Sequence, residues 1–387
     1  MLKLGKNRQQ ISAGIKIGQG IYFSQGQTAQ PPAAPVATSA TLTDYFDFTA
    51  NWNASAGATG YYLDVSTASD FSSFVTGFNN LDVSNVTTYF IDTLDSFTTY
   101  YYRVRAYNGA GTSASSNTIS STTLGFLLDE FPSAAAAYSI RILSGSYYKA
   151  GGNLATIRRS SDNAEETFIP TRADGYVLTL NSATSGGTTL ATWIGSESGF
   201  IKTKFDQSGN ALDLTQLSAS AQPQIINAGA LITDNGKVAA QLTGNEEYIK
   251  AISWNTNLYS QFSVMSNSSA GSLITLDNGS IWLRDNGTAM FAQYSGNFFN
   301  ATLTTTQQAI YHGYDGTNHI YNRNNGAESI SATTTAQGTV TELVMFARRA
   351  GINRVSGKFQ EAIFYLSDQS GNVGEIQNLQ NNFYSIY

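Results

Sequence analysis

The sequence contains no cysteine and only 2 histidines, so it has no disulfide framework and no thiolate metal site. Charged residues make up only 12% of the chain, and the net charge is -6. Because no long basic run is present, we expect no nucleic-acid partner. No apolar run approaches the roughly 18 residues of a membrane span, so we expect no membrane insertion. The absence of cysteine is compatible with folding in a reducing cytosol.

The first residues are basic, but no apolar segment of the kind found in secretory signals follows them. We therefore expect no export signal. Hydrophobic residues reach 41%, and 22 Tyr and 21 Phe are present. A length of 387 residues predicts two or three globular domains. Abundant aromatic residues and threonine are typical of β-structure, since these side chains pack well on pleated surfaces.

Residues 1–30 are interpreted as a docking segment and linker. Apolar residues of one parity alternate with polar residues and glycine, which predicts a strand. A single strand has no core of its own, so we expect it to dock onto other virion proteins, or alternatively to fold back onto its own domain. The predicted docking residues are Ile11, Ile15, Ile17, Ile21 and Phe23.

Residues 31–124 follow a proline-rich linker and alternate between apolar and polar positions in several short segments. Trp52, residues 60–65 and the Leu94/Tyr100 pair resemble the fibronectin type III family, in which the tyrosine belongs to a conserved corner. The resemblance implies an antiparallel sandwich without catalytic residues and places Trp52 in its core. Residues 125–137 form a second linker, whose apolar side chains are expected to pack on a domain.

Residues 138–387 are predicted to form the larger domain. Asn-Gly pairs at 278–279 and 286–287 predict tight hairpins. The stretches 154–163 and 206–210 resemble the concanavalin A-like, laminin G-like sandwich. That subgroup is shared by fungal α-L-arabinofuranosidase B catalytic domains and many phage virion proteins. The resemblance implies a phage that infects Bacteroidetes as the source, including crAss-like phages. We predict an all-β chain: a docking strand, a fibronectin type III sandwich and a concanavalin A-like jelly roll.

Two further elements of this domain are predicted from apolar patterning. The nearly continuous apolar run 357–366 is expected to be a central strand. Ile376, Leu379 and Phe383 lie at spacings of three and four, which predicts a short C-terminal helix with one apolar face.

Glycoside hydrolysis requires two carboxyl groups flanking the sugar bond. None of the acidic residues forms the clustered Glu-x-Asp-x-Glu strand of many glucanases with this fold. The arabinofuranosidase acids find no matching positions, and the disulfides of those enzymes are absent. We therefore expect no enzymatic activity. Asp206 and Asp213 are interpreted as turn caps, and residues 246–247 as an exposed turn. Glu361 is interpreted as a strand residue that anchors a loop through hydrogen bonds. The candidate acids are Asp206, Asp213, Glu246, Glu247 and Glu361.

No cofactor is expected, although a calcium site is an alternative. His312 and His319 are too few for a zinc site. Calcium prefers several oxygen ligands on loops, and Asp206, Asn210 and Asp213 are the candidate ligands. The favoured interpretation is that these three side chains stabilise turns.

A sugar site needs an aromatic surface near hydrogen-bonding groups. Trp193 and Trp254 are the candidate sugar-binding residues, because both are expected near loops. Trp282 alternates within a predicted strand and is assigned to the core.

These features predict a bacteriophage virion protein, assembled in the host bacterial cytoplasm and exposed on the capsid or tail as a decoration protein or head fibre. Its expected partners are other virion proteins, further copies of itself, and host or mucosal surface glycans that are bound multivalently. The alternative is a secreted, arabinofuranosidase-like glycoside hydrolase with an accessory fibronectin module. A third interpretation is a cementing protein without a ligand.

Overall fold

The computed structural model describes residues 29–386 except for residue 256 and the segments 268–270, 277–280, 286–288, 295–296, 303–306, 325–328, 333–338 and 347–355. The chain divides into two compact units. The smaller unit includes the described residues up to Leu94 together with Thr98–Thr123, and the larger unit includes Asp95–Phe97 and everything from Leu124 onward.

The smaller unit is an antiparallel β-sandwich. Its described strands are β1 (Ala37–Thr41), β2 (Phe48–Trp52), β3 (Gly60–Ser66), β4 (Leu81–Asp82), β5 (Thr88–Ile91), β6 (Thr99–Asn108), β7 (Gly111–Thr112) and β8 (Ile119–Thr122). One sheet has the order β1-β2-β5, and the other has the order β4-β3-β6-β7 with β8 also paired to β6. This is the fibronectin type III arrangement that the sequence predicts.

The core of the smaller unit follows from alternation along its strands. In β6, every second residue from Tyr100 to Ala106 is buried, as period-two patterning requires. The prediction that Trp52 belongs to this core is confirmed, since it is 3% exposed and packs on Tyr61. Asp64 is a buried charge of this unit, and its carboxylate forms ion pairs with Arg103 and Arg105.

The larger unit is also mostly antiparallel β-structure, with short helices. Its described strands are β9 (Ala136–Ser139), β10 (Ala155–Arg159), β11 (Glu165–Phe168), β12 (Gly199–Lys204), β13 (Leu214–Thr215), β14 (Gln224–Asn227), β15 (Ala230–Leu231), β16 (Thr233–Asp234), β17 (Lys237–Val238), β18 (Ala240–Thr243), β19 (Tyr248–Asn255), β20 (Tyr259–Asn267), β21 (Gly271–Leu276), β22 (Ile281–Asp285), β23 (Ala289–Tyr294), β24 (Asn297–Thr302), β25 (Gln308–Tyr314), β26 (Asn318–Arg323), β27 (Ser329–Ala332), β28 (Thr339–Met345) and β29 (Ser356–Tyr365). Its α-helices are α1 (Leu127–Glu130), α2 (Gly145–Lys149), α3 (Leu190–Ile194) and α4 (Val373–Tyr384).

Two large sheets form this unit. The longer sheet runs β11-β10-β12-β14-β18-β29-β20-β25-β26-β27, with β9 paired to β29, and the shorter sheet runs β19-β28-β21-β22-β23-β24. The meander β21-β22-β23 lies where the two Asn-Gly pairs predict hairpins. The predicted all-β class with a short C-terminal helix is confirmed, and the larger unit is a concanavalin A-like jelly roll.

Strand β29 is central, as its apolar run predicts, because β18, β20 and β9 all pair with it. Phe359 and Phe364 contribute to one buried cluster, and Ile363 and Tyr365 contribute to another. The second cluster also includes Leu127 and Leu128 of α1. The prediction that the apolar residues of segment 125–137 pack on a domain is therefore confirmed.

Glu361 links β29 to the C-terminal helix. Its carboxylate is fully buried and accepts hydrogen bonds from Nε of Arg141 at 2.9 Å, the Ser139 hydroxyl at 3.0 Å, the Tyr384 hydroxyl at 3.2 Å and the Gln380 amide at 3.1 Å. A buried charge requires such partners. Glu361 lies in a strand, as the sequence predicts, and it anchors Arg141, β9 and α4 through these hydrogen bonds. Apolar periodicity alone does not predict that glutamine and tyrosine belong to the buried face of α4.

Lys204 is a second buried charge, at the end of β12. The residue is 5% exposed, and Nζ lies 4.8 Å from the centre of the Phe359 ring. No described carboxylate forms an ion pair with it. Burial therefore lowers the pKa of Lys204 to about 7.

Within the described residues, no helix is both long enough and apolar enough to cross a membrane.

Candidate functional site

The loop from Asp206 to Asp213 is built around one carboxylate. Asp206 is 3% exposed and accepts hydrogen bonds from the backbone amides of Ala137 at 2.9 Å, Ser208 at 2.9 Å and Leu212 at 3.1 Å. The Ser208 hydroxyl donates a fourth hydrogen bond at 2.8 Å. A carboxylate that accepts four hydrogen bonds on its two oxygens fixes the path of a loop that has no regular backbone pairing.

The other two predicted calcium ligands lie on the same loop. Asp213 accepts a hydrogen bond from the Asp206 amide at 2.9 Å. The Asn210 amide nitrogen donates to the carbonyls of Ala134 at 3.0 Å and Ala135 at 3.1 Å. These contacts agree with the turn-stabilising interpretation. Among the described residues, no group of three or more His, Cys, Asp or Glu converges on a metal position, and the calcium alternative stays a prediction.

A cavity of about 490 Å³ opens beside this loop. Trp254 and Leu366 form its apolar side, and Ser208, Asn210 and Ser133 form its polar side. Among the described residues that line this cavity, none carries a charge. Its volume falls within the range of roughly 300–1,000 Å³ found for small-molecule sites.

Asn210 lines this cavity, and hydrogen bonds fix the orientation of its amide group. The residue is exposed, but its amide nitrogen is held by two backbone carbonyls, which also fixes the direction of Oδ1. In the part of the chain that the structure describes, nothing donates a hydrogen bond to that Oδ1. The oxygen is therefore available to a hydroxyl donor of a ligand.

Trp254 is the penultimate residue of strand β19, close to the connection to β20, and its role in sugar binding stays a prediction. Its side chain is 6% exposed, belongs to the core and packs 5.8 Å from the Phe364 ring, centre to centre. It therefore offers the cavity only a small accessible part of its side chain. Leu366, which is 37% exposed, extends the apolar surface at the cavity rim.

Trp193, the other predicted sugar-binding residue, lies on α3 and does not line this cavity. It is half-buried, with the Arg159 guanidinium 4.9 Å from its ring centre and Phe168 at 5.5 Å. The structure therefore does not bring the two tryptophans into one site.

The remaining predicted residues lie elsewhere. The interpretation of 246–247 as an exposed turn is wrong for Glu246, which is 4% exposed and caps the turn by accepting hydrogen bonds from the backbone amides of Thr243, Gly244 and Asn245. His312 is buried, and its Nε2 lies 3.1 Å from the Tyr259 hydroxyl.

The predicted docking residues lie outside the described residues, and docking stays a prediction. They are Ile11, Ile15, Ile17, Ile21 and Phe23.

Sequence reasoning missed Ser133 and Leu366 at the cavity. Left-handed backbone at residues other than glycine costs free energy and is concentrated at functional sites. Ser133 and Ala211 have left-handed backbone, with φ of 69° and 56°. Leu42 and Phe71 in the smaller unit have it too, so the backbone does not single out the residues at the cavity.

No protein-family model and no curated protein matches the chain. Among solved structures, a GH54 α-L-arabinofuranosidase soaked with a cyclic sulfate inhibitor is 15% identical, with a TM-score of 0.48 over 64% of this chain and 62% of that one. An arabinofuranosidase complexed with arabinofuranosyl-α-1,2-xylobiose gives 15% identity and a TM-score of 0.47 over the same shares. The fibronectin protein FN3tt is 25% identical, with a TM-score of 0.20 over 25% of this chain and 98% of its own.

The chain thus spans 62% of the length of the arabinofuranosidases. Our expectation of a chain that is not an enzyme is wrong as it stands, because the solved structures similar to it include glycoside hydrolases. At 15% identity the likeness assigns neither substrate nor reaction. None of the three matches described above is a virion protein, and the virion location stays a prediction. The two units have the fibronectin type III fold and the concanavalin A-like fold.

Proposed function

We propose that the larger unit recognises a carbohydrate, and that the cavity between Trp254 and the 206–213 loop is where the sugar binds. The observation that carries this proposal is the combination of an apolar rim with a fixed, available amide oxygen on Asn210. Sugars present both C–H surfaces and hydroxyl donors, so they need apolar contact and oriented acceptors together. The absence of charge among the described lining residues favours an uncharged sugar.

Leu366 offers the sharpest test, because it is at the rim and 37% exposed. Leu366→Arg would fill the cavity mouth at little cost to folding, since exposed substitutions change stability by about 0.5 kcal/mol or less. Leu258→Arg is the matched control, because Leu258 is 39% exposed and does not line the cavity.

The experiment is a calorimetric titration of the full chain with arabinofuranosyl-α-1,2-xylobiose, the sugar bound by one of the solved arabinofuranosidases, and with arabinoxylan. We expect the unsubstituted chain and Leu258→Arg to bind, and Leu366→Arg to lose at least about tenfold in affinity, or about 1.4 kcal/mol. Equal binding by all three proteins would place the sugar elsewhere. Absence of binding to either probe would refute recognition of this class of glycan.

Hydrolysis is the second candidate function, because the loop that lines the cavity also carries two carboxylates. Asp206 contacts the cavity-lining Ser208 hydroxyl at 2.8 Å, and Asp213 is the next acid along the loop. Glycoside hydrolysis requires two carboxyl groups; Asp213 is the candidate for one of them, since the oxygens of Asp206 are occupied by four hydrogen bonds of the loop. Release of 4-nitrophenol from 4-nitrophenyl α-L-arabinofuranoside by the full chain would support this function, provided that Asp213→Asn abolishes the release. Sugar binding without any release would leave recognition as the function.

A further inference from the structure

A second cavity, of about 370 Å³, adjoins the Trp254 cavity. The two cavities share three lining residues, Ser133, Ala134 and Ser208. Because both cavities contact the same residues, they lie side by side, and we refer to them as two compartments of one cleft. The second compartment is lined by Tyr147 and by the hydroxyl groups of Ser144 and Ser146.

Tyr147 is held in a fixed orientation beside this compartment. The side chain is half-buried, and its hydroxyl donates a hydrogen bond to the carbonyl of Asn153 at 2.8 Å. Gly152 lies against the ring, and a Cβ at that position would be 2.2 Å from two ring carbons. An aromatic ring that is already ordered loses little conformational entropy when a ligand packs on it.

The electrostatics of the second compartment disfavour anions. Among its described lining residues none is charged. Burial raises the pKa of Tyr147, and the negative charges of Asp213 and Asp206 raise it further, so the phenol stays protonated. The same charges act on any acidic group placed beside the ring.

We propose that the Tyr147 compartment is a second sugar subsite, so that the cleft holds at least two consecutive units of an uncharged glycan chain. This inference rests on the proposed function and adds to it the length and the charge of the preferred glycan. The Trp254 compartment contributes the apolar rim and the Asn210 oxygen. The Tyr147 compartment contributes a second aromatic surface and the exposed hydroxyl of Ser146.

The test compares three probes on the full chain by calorimetry: L-arabinose, arabinofuranosyl-α-1,2-xylobiose and an oligogalacturonate. We expect the trisaccharide to bind at least about tenfold more tightly than arabinose, as expected when a second aromatic contact adds to the first. Tyr147→Ala should remove that advantage while arabinose binding changes by less than about twofold. The oligogalacturonate should bind more weakly than the neutral trisaccharide.

Tyr148→Ala is the matched control, because Tyr148 is half-buried and packs on Tyr176 at 5.0 Å without lining the compartment. If Tyr147→Ala fails to fold, Ser146→Gln fills the compartment from an exposed position and should give the same loss.

Three outcomes separate the two proposals. Equal affinity for arabinose and the trisaccharide would overturn the second subsite while leaving recognition at the Trp254 compartment intact. An advantage for the trisaccharide that survives both Tyr147→Ala and Ser146→Gln would also overturn it. If no probe binds, both proposals fail together.

Discussion

Lys204 provides a quantitative test of the packing in the larger unit. Its side chain is almost completely removed from water, and the ammonium nitrogen lies 4.8 Å from the centre of the Phe359 ring. A cation in an apolar environment lowers the stability of the fold unless it is paired. Methionine has a similar length without the charge, so Lys204→Met should remove this cost while keeping the volume that β12 contributes to the core.

The magnitude follows from the pKa. An ordinary lysine has a pKa of 10.5, and burial lowers that of Lys204 to about 7. Between these values the unfolded chain binds a proton that the folded chain does not, so stability rises with pH in this window and is constant below it. A pKa difference of one corresponds to about 1.4 kcal/mol, so the unsubstituted chain should gain about 2 kcal/mol between about pH 7 and about pH 9.

Lys204→Met should lack this pH dependence. Near pH 7 the variant should be more stable by about 2–4 kcal/mol, which is less than the full cost of the lowered pKa because the attraction between the ammonium and the Phe359 ring is lost. The free energy of unfolding of the larger unit would be measured by urea titration at several pH values between about 6 and about 9.

Lys202→Met is the matched control, since Lys202 lies two residues earlier in β12 and pairs with Glu165 at 2.6 Å on the partly exposed face. It should keep the pH dependence of the unsubstituted chain. The reasoning fails if Lys204→Met shows the same rise with pH as the unsubstituted chain, or if it is the less stable protein near pH 7.

Three further substitutions probe the buried acids. Glu361→Ala should destabilise the larger unit by about 3–5 kcal/mol, because Arg141 keeps a buried charge without its partner. A loss of less than about 1 kcal/mol in the free energy of unfolding, measured by urea titration, would contradict this. Asp206→Asn should cost about 1–3 kcal/mol, because an amide nitrogen replaces an acceptor that receives backbone donors, and an unchanged thermal midpoint would show that the loop does not need the charge. Asp64→Ala should cost the smaller unit about 1–3 kcal/mol, because the side chain of Arg105 is 27% exposed and is hydrated once its partner is lost. The cost would be measured as the shift of the thermal transition of this unit. A larger loss would mean that the ion pair is more buried than its exposure indicates.

Most of the fold is predictable because its signals are local. Period-two alternation places Tyr100 to Ala106 in one strand with alternate residues buried, and Asn-Gly turns place the hairpins between β21, β22 and β23. The continuous apolar run of β29 indicates burial on both faces. Each of these patterns is formed by residues that lie close together in the chain, so a single sequence is enough to detect it.

The candidate site depends on contacts between distant segments, and the sequence carries little signal for these. Trp254 and Leu366 are separated by more than a hundred residues, and Ser133 is distant from both, yet they line one cavity. Asp206, Asn210 and Asp213 stand out in the sequence as a possible oxygen cluster. Two of the three roles depend on a distant segment, because Ala137 donates to Asp206 and the carbonyls of Ala134 and Ala135 accept from Asn210.

The same contacts decide which acid is the better candidate for chemistry. The four hydrogen bonds that Asp206 accepts hold the loop and Ala137 in place. The oxygens of Asp206 are therefore occupied by donors and poorly placed to transfer a proton to a sugar.

Asp213 is half-buried and uses one oxygen to accept from the Asp206 amide, and within the described residues no donor contacts its Oδ2. If the chain hydrolyses a glycoside, Asp213→Asn should therefore lower the rate by at least about a hundredfold, as expected for loss of a general acid or base, with little change in the thermal midpoint. Asp206→Asn should do the reverse, lowering stability more than the rate measured on the folded fraction. Equal effects of the two substitutions on both quantities would contradict this division of roles.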